Sequence, residues 1–182
     1  AGGVKQLLKP IAVLTLIAFV CTAALAGVNL LTRDIIRISE EKAAQAAMHE
    51  MLEDPKGFET LSVSEELLKQ YHVQSVCRAK SGLGYIVQSS AKGYGGEMRL
   101  MLSFSPTGEV LSLRVLSHEE TNGVGTRAVE SREFLDRFCG KNAAQGGEIA
   151  AVAGATVSST AVVNAVNGAA NFLIAAGLAA GE

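Results

Sequence analysis

The spacing of hydrophobic positions changes several times along the chain, and each change marks a different element. From Ile11 to Leu31 there is no charged residue. A helix of that length rises about 30 Å, the depth of a bilayer's hydrocarbon core. Its polar members, Thr15, Thr22 and Asn29, are mild. The pattern predicts one transmembrane helix. A cleaved signal peptide is the rival, because Ala24-Leu25-Ala26 fits an A-x-A cleavage site behind a short apolar core. The apolar run continues through Val28, Leu30 and Leu31, which favours an uncleaved anchor. From Arg33 to Glu53 the period becomes that of an amphipathic helix. Ile35, Ile38, Ala46, Met48, Met51 and Leu52 lie on one face, and Glu40, Glu41, Lys42 and Glu50 on the rest. Asp54-Pro55 and Gly57 end it.

Beyond this point the period shortens. Ser62 to Tyr71 suggests a short helix, with Ser62 and Glu65 spaced as a capping box. Strands are predicted over Val73–Ala79, Tyr85–Ser89, Glu97–Phe104 and Glu109–Leu116, with Met98, Leu100 and Leu102 on one face. The turns between them, Ser81–Gly84, Lys92–Gly96 and Ser105–Gly108, are short and rich in glycine. Tight connections argue for an antiparallel meander. Val129 to Phe138 reads as a helix with Phe134, Leu135 and Phe138 inward, Asn142 to Gly147 as a loop, and Glu148 to Val152 as a short last strand. The final helix, from about Ser158 to Leu178, is long and apolar enough to raise the question of a second span. Asn164, Asn167 and Asn171 recur at helical spacing, and Gly168 and Gly177 interrupt the run. A one-sided polar stripe suits a helix packed on a sheet. The fold class is therefore α+β: an N-terminal membrane helix, then an antiparallel sheet packed by helices. The divisions read as an anchor over 1–32, a juxtamembrane helix over 33–57 and a domain over 58–182.

Length and charge narrow the function. The 182 residues hold an anchor and one domain of ordinary size. A net charge of −2, with no basic cluster and few aromatics, gives no sign of nucleic-acid binding. Cys21, Cys77 and Cys139 are too far apart for a zinc or iron–sulfur site and are read as unpaired. His49 has no companion at ligand spacing, and His118 sits in a polar loop and is given no catalytic role. No Ser/His/Asp set or carboxylate pair stands out. Lys5 and Lys9 before the span nearly balance Arg33, Arg37 and Lys42 after it, so charge leaves the orientation open.

The chemistry concentrates in Ala153-Gly154-Ala155-Thr156-Val157-Ser158-Ser159-Thr160. Ser158 or Ser159 is a natural N-cap for the last helix, which puts the Thr156 hydroxyl just before a helix N-terminus. Such an end suits a phosphate. Gly154 and Ala155 leave room for a bulky group to approach the backbone. On these residues alone, an ordinary capped loop is favoured over an anion site.

The stretch resembles the S/T-G-A-T-x-S/T-S motif of the covalent-flavin FMN-binding domain family, found in the G subunit of Rnf complexes and the C subunit of the Na⁺-pumping NADH:quinone reductase. Ala153 stands where that family usually has Ser or Thr, and Ala150 where an Asp often precedes the motif, with Glu148 the nearest acid. Two more segments resemble it in the right order. Gly93 to Met98 is similar to G-Y-G-G-x-[ILM]. His118 to Gly125 is similar to H-x-E-T-P-G-L-G, with Asn122 for Pro and Val124 for Leu.

The resemblance implies FMN joined through a phosphoester to Thr156, installed from FAD by a flavin transferase. Gly154, Ala155, Val157, Ser158 and Ser159 would surround the phosphate. The isoalloxazine would lie near Glu120, Thr121, Gly123, Val124 and Gly125. It implies no catalytic residue and no metal. It implies an electron carrier among the membrane subunits of an ion-translocating ferredoxin:NAD oxidoreductase, single-pass, with the flavin domain on the extracytoplasmic face. The compact length favours the G component of the Rnf set. The alternatives are an Nqr-type or stand-alone flavin carrier, or a flavin-free, membrane-anchored assembly module.

Overall fold

A computed structural model describes residues 2–142 and 149–179. Two compact units divide near residue 44. Helix α1, Gly2–Met51, begins in the first and ends in the second. Over the apolar run its side chains are exposed all round, as at Leu14, Phe19 and Leu25. Its threonine hydroxyls donate to their own helix: Thr15 to Ile11 O, Thr22 to Ala18 O and Thr32 to Val28 O, each at 2.8 Å. That bonding removes the cost of a polar group in an apolar surround.

The second unit, Gln45–Glu182, is built on a five-stranded antiparallel sheet in sequence order. The strands are β1 (Phe58–Thr60), β2 (Val73–Ala79), β3 (Tyr85–Lys92), β4 (Glu97–Phe104) and β5 (Val110–His118). The meander and two of its strand ranges match expectation; β1 is too short for a periodic signal. β3 runs on to Lys92, because Ala91 pairs with Met98 and Lys92 with Glu97. β5 runs from Val110 to His118, because His118 pairs with Met98.

Register sorts the side chains onto two faces. Val76, Val87, Leu102 and Leu113 stand in one cross-strand row, and Ser89, Leu100 and Val115 in the next. This face carries the main core. Against it lies α5, Thr156–Ala175, through Ala161, Val162, Ala165, Val166, Ala169, Phe172 and Leu173. Asn164 and Asn171 are exposed and Asn167 half-buried, so the polar stripe faces outward. Gly168 lets the helix come close to the chain before β2, since a Cβ there would stand 3.1 Å from Tyr71 O.

The other face carries Cys77, Ile86, Met101 and Ser103, also buried. The end of α1 reaches it. Glu50 pairs with Arg114, the register partner of Met101. The His49 ring meets Phe58, the register partner of Ala79, edge to face at 5.4 Å. Burial on this part of α1 falls on Ala47 and, just beyond it, Leu52. The expected apolar face is corrected here: Ala46, Ile35 and Ile38 are exposed. Asp54 then fastens the exit from the helix. Its carboxylate accepts from Lys56 N at 2.8 Å and Ser81 N at 2.9 Å. Burial acts to raise this carboxyl, but the Ser81 and Lys56 donors prevail and hold it below its ordinary value.

Three further expectations are corrected. The short helix α2 is Glu65–Gln70, with Ser64 as N-cap and no side-chain cap bond. Ser62 lies two residues too early to box with Glu65. The helix expected over Val129–Phe138 is two: α3, Thr126–Val129, and α4, Arg132–Asp136. Ser131 breaks them by taking extended geometry and capping the second through Phe134 N. Phe134 and Phe138 are buried as expected, whereas Leu135 is only half-buried. Ile149 to Val152 form no strand; Glu148 and residues 143–147 of the expected loop lie outside the described residues. The three cysteines are free.

Candidate functional site

The start of α5 differs from the expected cap. Gly154 adopts φ +79°, which bends the chain straight into the helix, and Ala155 occupies the N-cap position with no side-chain bond. Neither Ser158 nor Ser159 caps it, because both lie inside the first turn and a half. Ser159 Oγ instead accepts from Val152 N at 3.2 Å and donates to Ala155 O at 2.9 Å, tying the approach to the helix. The consequence is an early helix start. Thr156 is its first residue, exposed beside exposed Val157, while Ala155, Ser158 and Ser159 are buried. No acidic residue occupies the first turn. The unpaired N–H groups and the positive end of the helix dipole therefore face an open hydroxyl.

The second half of the site is folded around Glu120. This carboxylate is 8 % exposed and takes Tyr94 N on Oε1 and Gly95 N on Oε2, both at 3.0 Å. The Gly93–Gly96 and Glu119–Gly125 segments are stitched together by that one side chain. The glycines follow from it. A Cβ at Gly93 would overlap Glu120 Oε1, and one at Gly125 would overlap Oε2. A Cβ at Gly95 would collide with the Glu119 carbonyl. Thr121 O receives Val124 N and Gly125 N, both at 3.1 Å, and Thr126 Oγ1 receives Gly123 N at 3.0 Å. Thr121, Gly123 and Val124 are left exposed on the outside of the turn. His118 is structural: Nδ1 accepts from Glu120 N at 3.3 Å, and Nε2 stands 3.5 Å from Glu130 Oε1.

The two halves meet at Gly125. The point where its Cβ would stand is 2.8 Å from Ser158 Oγ, a buried hydroxyl with no hydrogen-bond partner among the described residues. On the outer side, the corresponding point at Gly154 is 3.3 Å from Arg127 Nη1. Residues distant in sequence, Glu120–Gly125 and Gly154–Ser159, thus form one place. Beside it, α5 and the β3–β4 end enclose a groove of about 700 Å³, with Ala91, Ala161, Ala165 and Gly168 among its walls and Lys92, Glu119 and Asn164 at its rim.

The arrangement has the parts a flavin phosphate needs: an open hydroxyl, a helix start without a cap, glycine where side chains would intrude, and an orphaned hydroxyl. Among the described residues there is no group poised for acid–base work and no metal-ligating cluster. Sequence reasoning missed Arg127 and the anchoring role of Tyr94 and Gly95. The G-Y-G-G spacing was the signal for the latter, but only the fold reveals that it embraces Glu120.

Residues 93–171 match the FMN-binding domain, and residues 5–51 match the RnfG N-terminal region. The G subunit of the ion-translocating oxidoreductase complex of Pasteurella multocida (strain Pm70) is 32 % identical over 175 residues, covering 84 % of this chain and 86 % of that one. A protein of the same description from Methanosarcina acetivorans is 27 % identical, covering 94 % and 96 %. The G subunit of the proton-translocating ferredoxin:NAD(+) oxidoreductase complex of Clostridium ljungdahlii is 26 % identical, covering 84 % of each.

Proposed function

The chain belongs to the RnfG family of ion-translocating oxidoreductase complexes, and from that premise we propose that it carries electrons as the flavoprotein subunit of a membrane-bound ferredoxin:NAD oxidoreductase, with FMN linked covalently to Thr156. The observation that carries the linkage is the Thr156 hydroxyl, exposed at the uncapped first turn of α5 beside the Glu120–Gly125 loop. Bound flavin supplies the redox chemistry, accepting and donating electrons at its ring. The protein supplies position. Gly154 and Ala155 keep the approach to Thr156 clear. Ser158 Oγ and the first-turn N–H groups offer donors to a phosphate. Glu120 holds the Thr121–Gly125 turn, and Val124 and Val157 expose apolar surface on the two halves of the site.

Attachment balances as a transfer. The Thr156 oxygen bonds to the flavin-side phosphorus of FAD, the phosphoanhydride bond breaks, AMP leaves, and the hydroxyl proton passes to a base. A transferase is the maturation partner, and the other complex subunits and membrane lipid are the working ones. Residues 1–32 are the single-pass anchor, 33–57 the juxtamembrane segment in which α1 ends at Met51, and 58–182 the bulk of the flavin domain on the extracytoplasmic face. A tether suits that face, where a dissociated carrier is hard to replace.

The test is a denaturing gel under ultraviolet light, with peptide mass analysis, on the chain made beside an active transferase. Wild type is expected to fluoresce and Thr156→Ala to be dark, a complete loss. A dark wild type would favour the flavin-free module; a fluorescent Thr156→Ala would move the linkage to a neighbouring hydroxyl.

A further inference from the structure

The Arg127 guanidinium lies at the Gly154 turn. Its Nη1 stands 3.3 Å from where a Gly154 Cβ would be, two residues before Thr156. Among the described residues no carboxylate pairs with it; the nearest acid along its own stretch, Glu130, faces His118. Arg127 is exposed, yet its stem is placed by α3, whose neighbours Thr126 and Ala128 are buried. Across the same junction, Ser158 Oγ is buried and unpartnered among the described residues. The helix start between them has no side-chain cap and no acid in its first turn.

We propose that Arg127 is a positioning residue for the cofactor, holding the phosphate of the Thr156-linked flavin against the start of α5. The proposal rests on the Thr156 linkage and adds to it the charge that the linkage needs. A phosphodiester keeps one negative charge with two free oxygens. Helix N–H groups supply partial charge only. A planar guanidinium matches two phosphate oxygens with two parallel N–H donors, which an ammonium cannot do. Glycine at 154 suits this turn by its positive φ, and a Cβ there would crowd the guanidinium.

The full chain is produced beside the transferase as wild type, Arg127→Ala, Arg127→Lys and Arg127→Glu. The initial rate of flavin attachment at limiting FAD is followed by intact mass, the phosphodiester by ³¹P NMR, and the melting of each protein in a Thr156→Ala background. Attachment is expected to slow roughly tenfold or more in Arg127→Ala, the scale of a lost charged hydrogen bond. Arg127→Lys should recover part of the rate, and Arg127→Glu should fall below Arg127→Ala. The ³¹P resonance of the flavin that does attach should move in Arg127→Ala, while flavin-free melting stays put. An unchanged rate with an unmoved resonance overturns the proposal and leaves the Thr156 linkage standing. A slower rate with an unmoved resonance overturns it too, because Arg127 would then serve recognition by the transferase. Lower flavin-free melting without rescue by lysine would make the residue structural and overturn it. A dark wild type removes both the linkage and the proposal.

Discussion

Two helices in this molecule pass the same test of length and apolarity, and they live in opposite surroundings. None of the apolar window of α1 is buried, whereas 56 % of the α5 window is. The difference lies in where polarity sits. On α1 the hydroxyls of Thr15, Thr22 and Thr32 are bonded back to their own carbonyls, so apart from Asn29 the run presents hydrocarbon around its circumference. On α5 the asparagines gather on one side, and small residues such as Ala161, Ala165 and Ala169 line the other. Small residues let a helix approach a sheet closely; lipid makes no such demand. The α1 window is also the more hydrophobic by mean hydropathy, and the arrangement around the axis widens that difference.

The largest effect that would break this contrast is in the core. Phe172 is fully buried, and Phe172→Ala is expected to cost the domain about 3–5 kcal/mol, read as a lowered denaturant midpoint. An equal truncation at Leu25 should leave that midpoint alone; if both moved it together, the two surroundings would not differ as described. Next in size, Leu25→Arg puts a charge in the middle of the span, at about 2.5–3.5 kcal/mol against insertion. Membrane fractionation should lose protein while melting of the folded domain stays constant. The smallest effect sharpens the boundary where α1 passes from exposure to burial. Asp54 is held below its ordinary carboxyl value in the folded chain, so its contribution is present above the unfolded value near 3.8 and fades as pH falls through the lower folded value. Asp54→Asn should flatten the acid side of the pH–melting curve. An unchanged curve would remove the Asp54 clip from what fastens the end of α1.

Much of the framework was legible because period and turn chemistry agreed. β2 and β4 have the expected bounds, and the outward asparagine stripe of α5 is where spacing put it. Several of the failures are of one kind. Ser62, Ser131, Ser158 and Ser159 all carry side chains that cap helices well, and local sequence cannot say which of them does. Ser131 caps a helix that was expected to run through it. Ser159 reaches backward to Val152 instead, which moves the helix start to Thr156. The three motifs of the candidate site were legible, and the resemblance set two of them around one cofactor, but the contacts that join them were not. That Glu120 ties Tyr94 and Gly95 to the loop before α3, and that Arg127 meets Gly154, are contacts made by the fold.

The order of the strands has a consequence for assembly in time. Each strand of the sheet pairs with its sequence neighbour, β2 to β5 through short turns and β1 with β2 around α2, so the pairings are local in sequence. The Thr156 hydroxyl belongs to α5, which must cross back to lie on β3 and β4 after the meander is complete. Thr156 therefore reaches its place beside the Glu120 loop only when the last long helix has docked. On the proposed linkage, flavin at Thr156 would mark a chain that has completed its fold, and a stalled chain would stay unmarked.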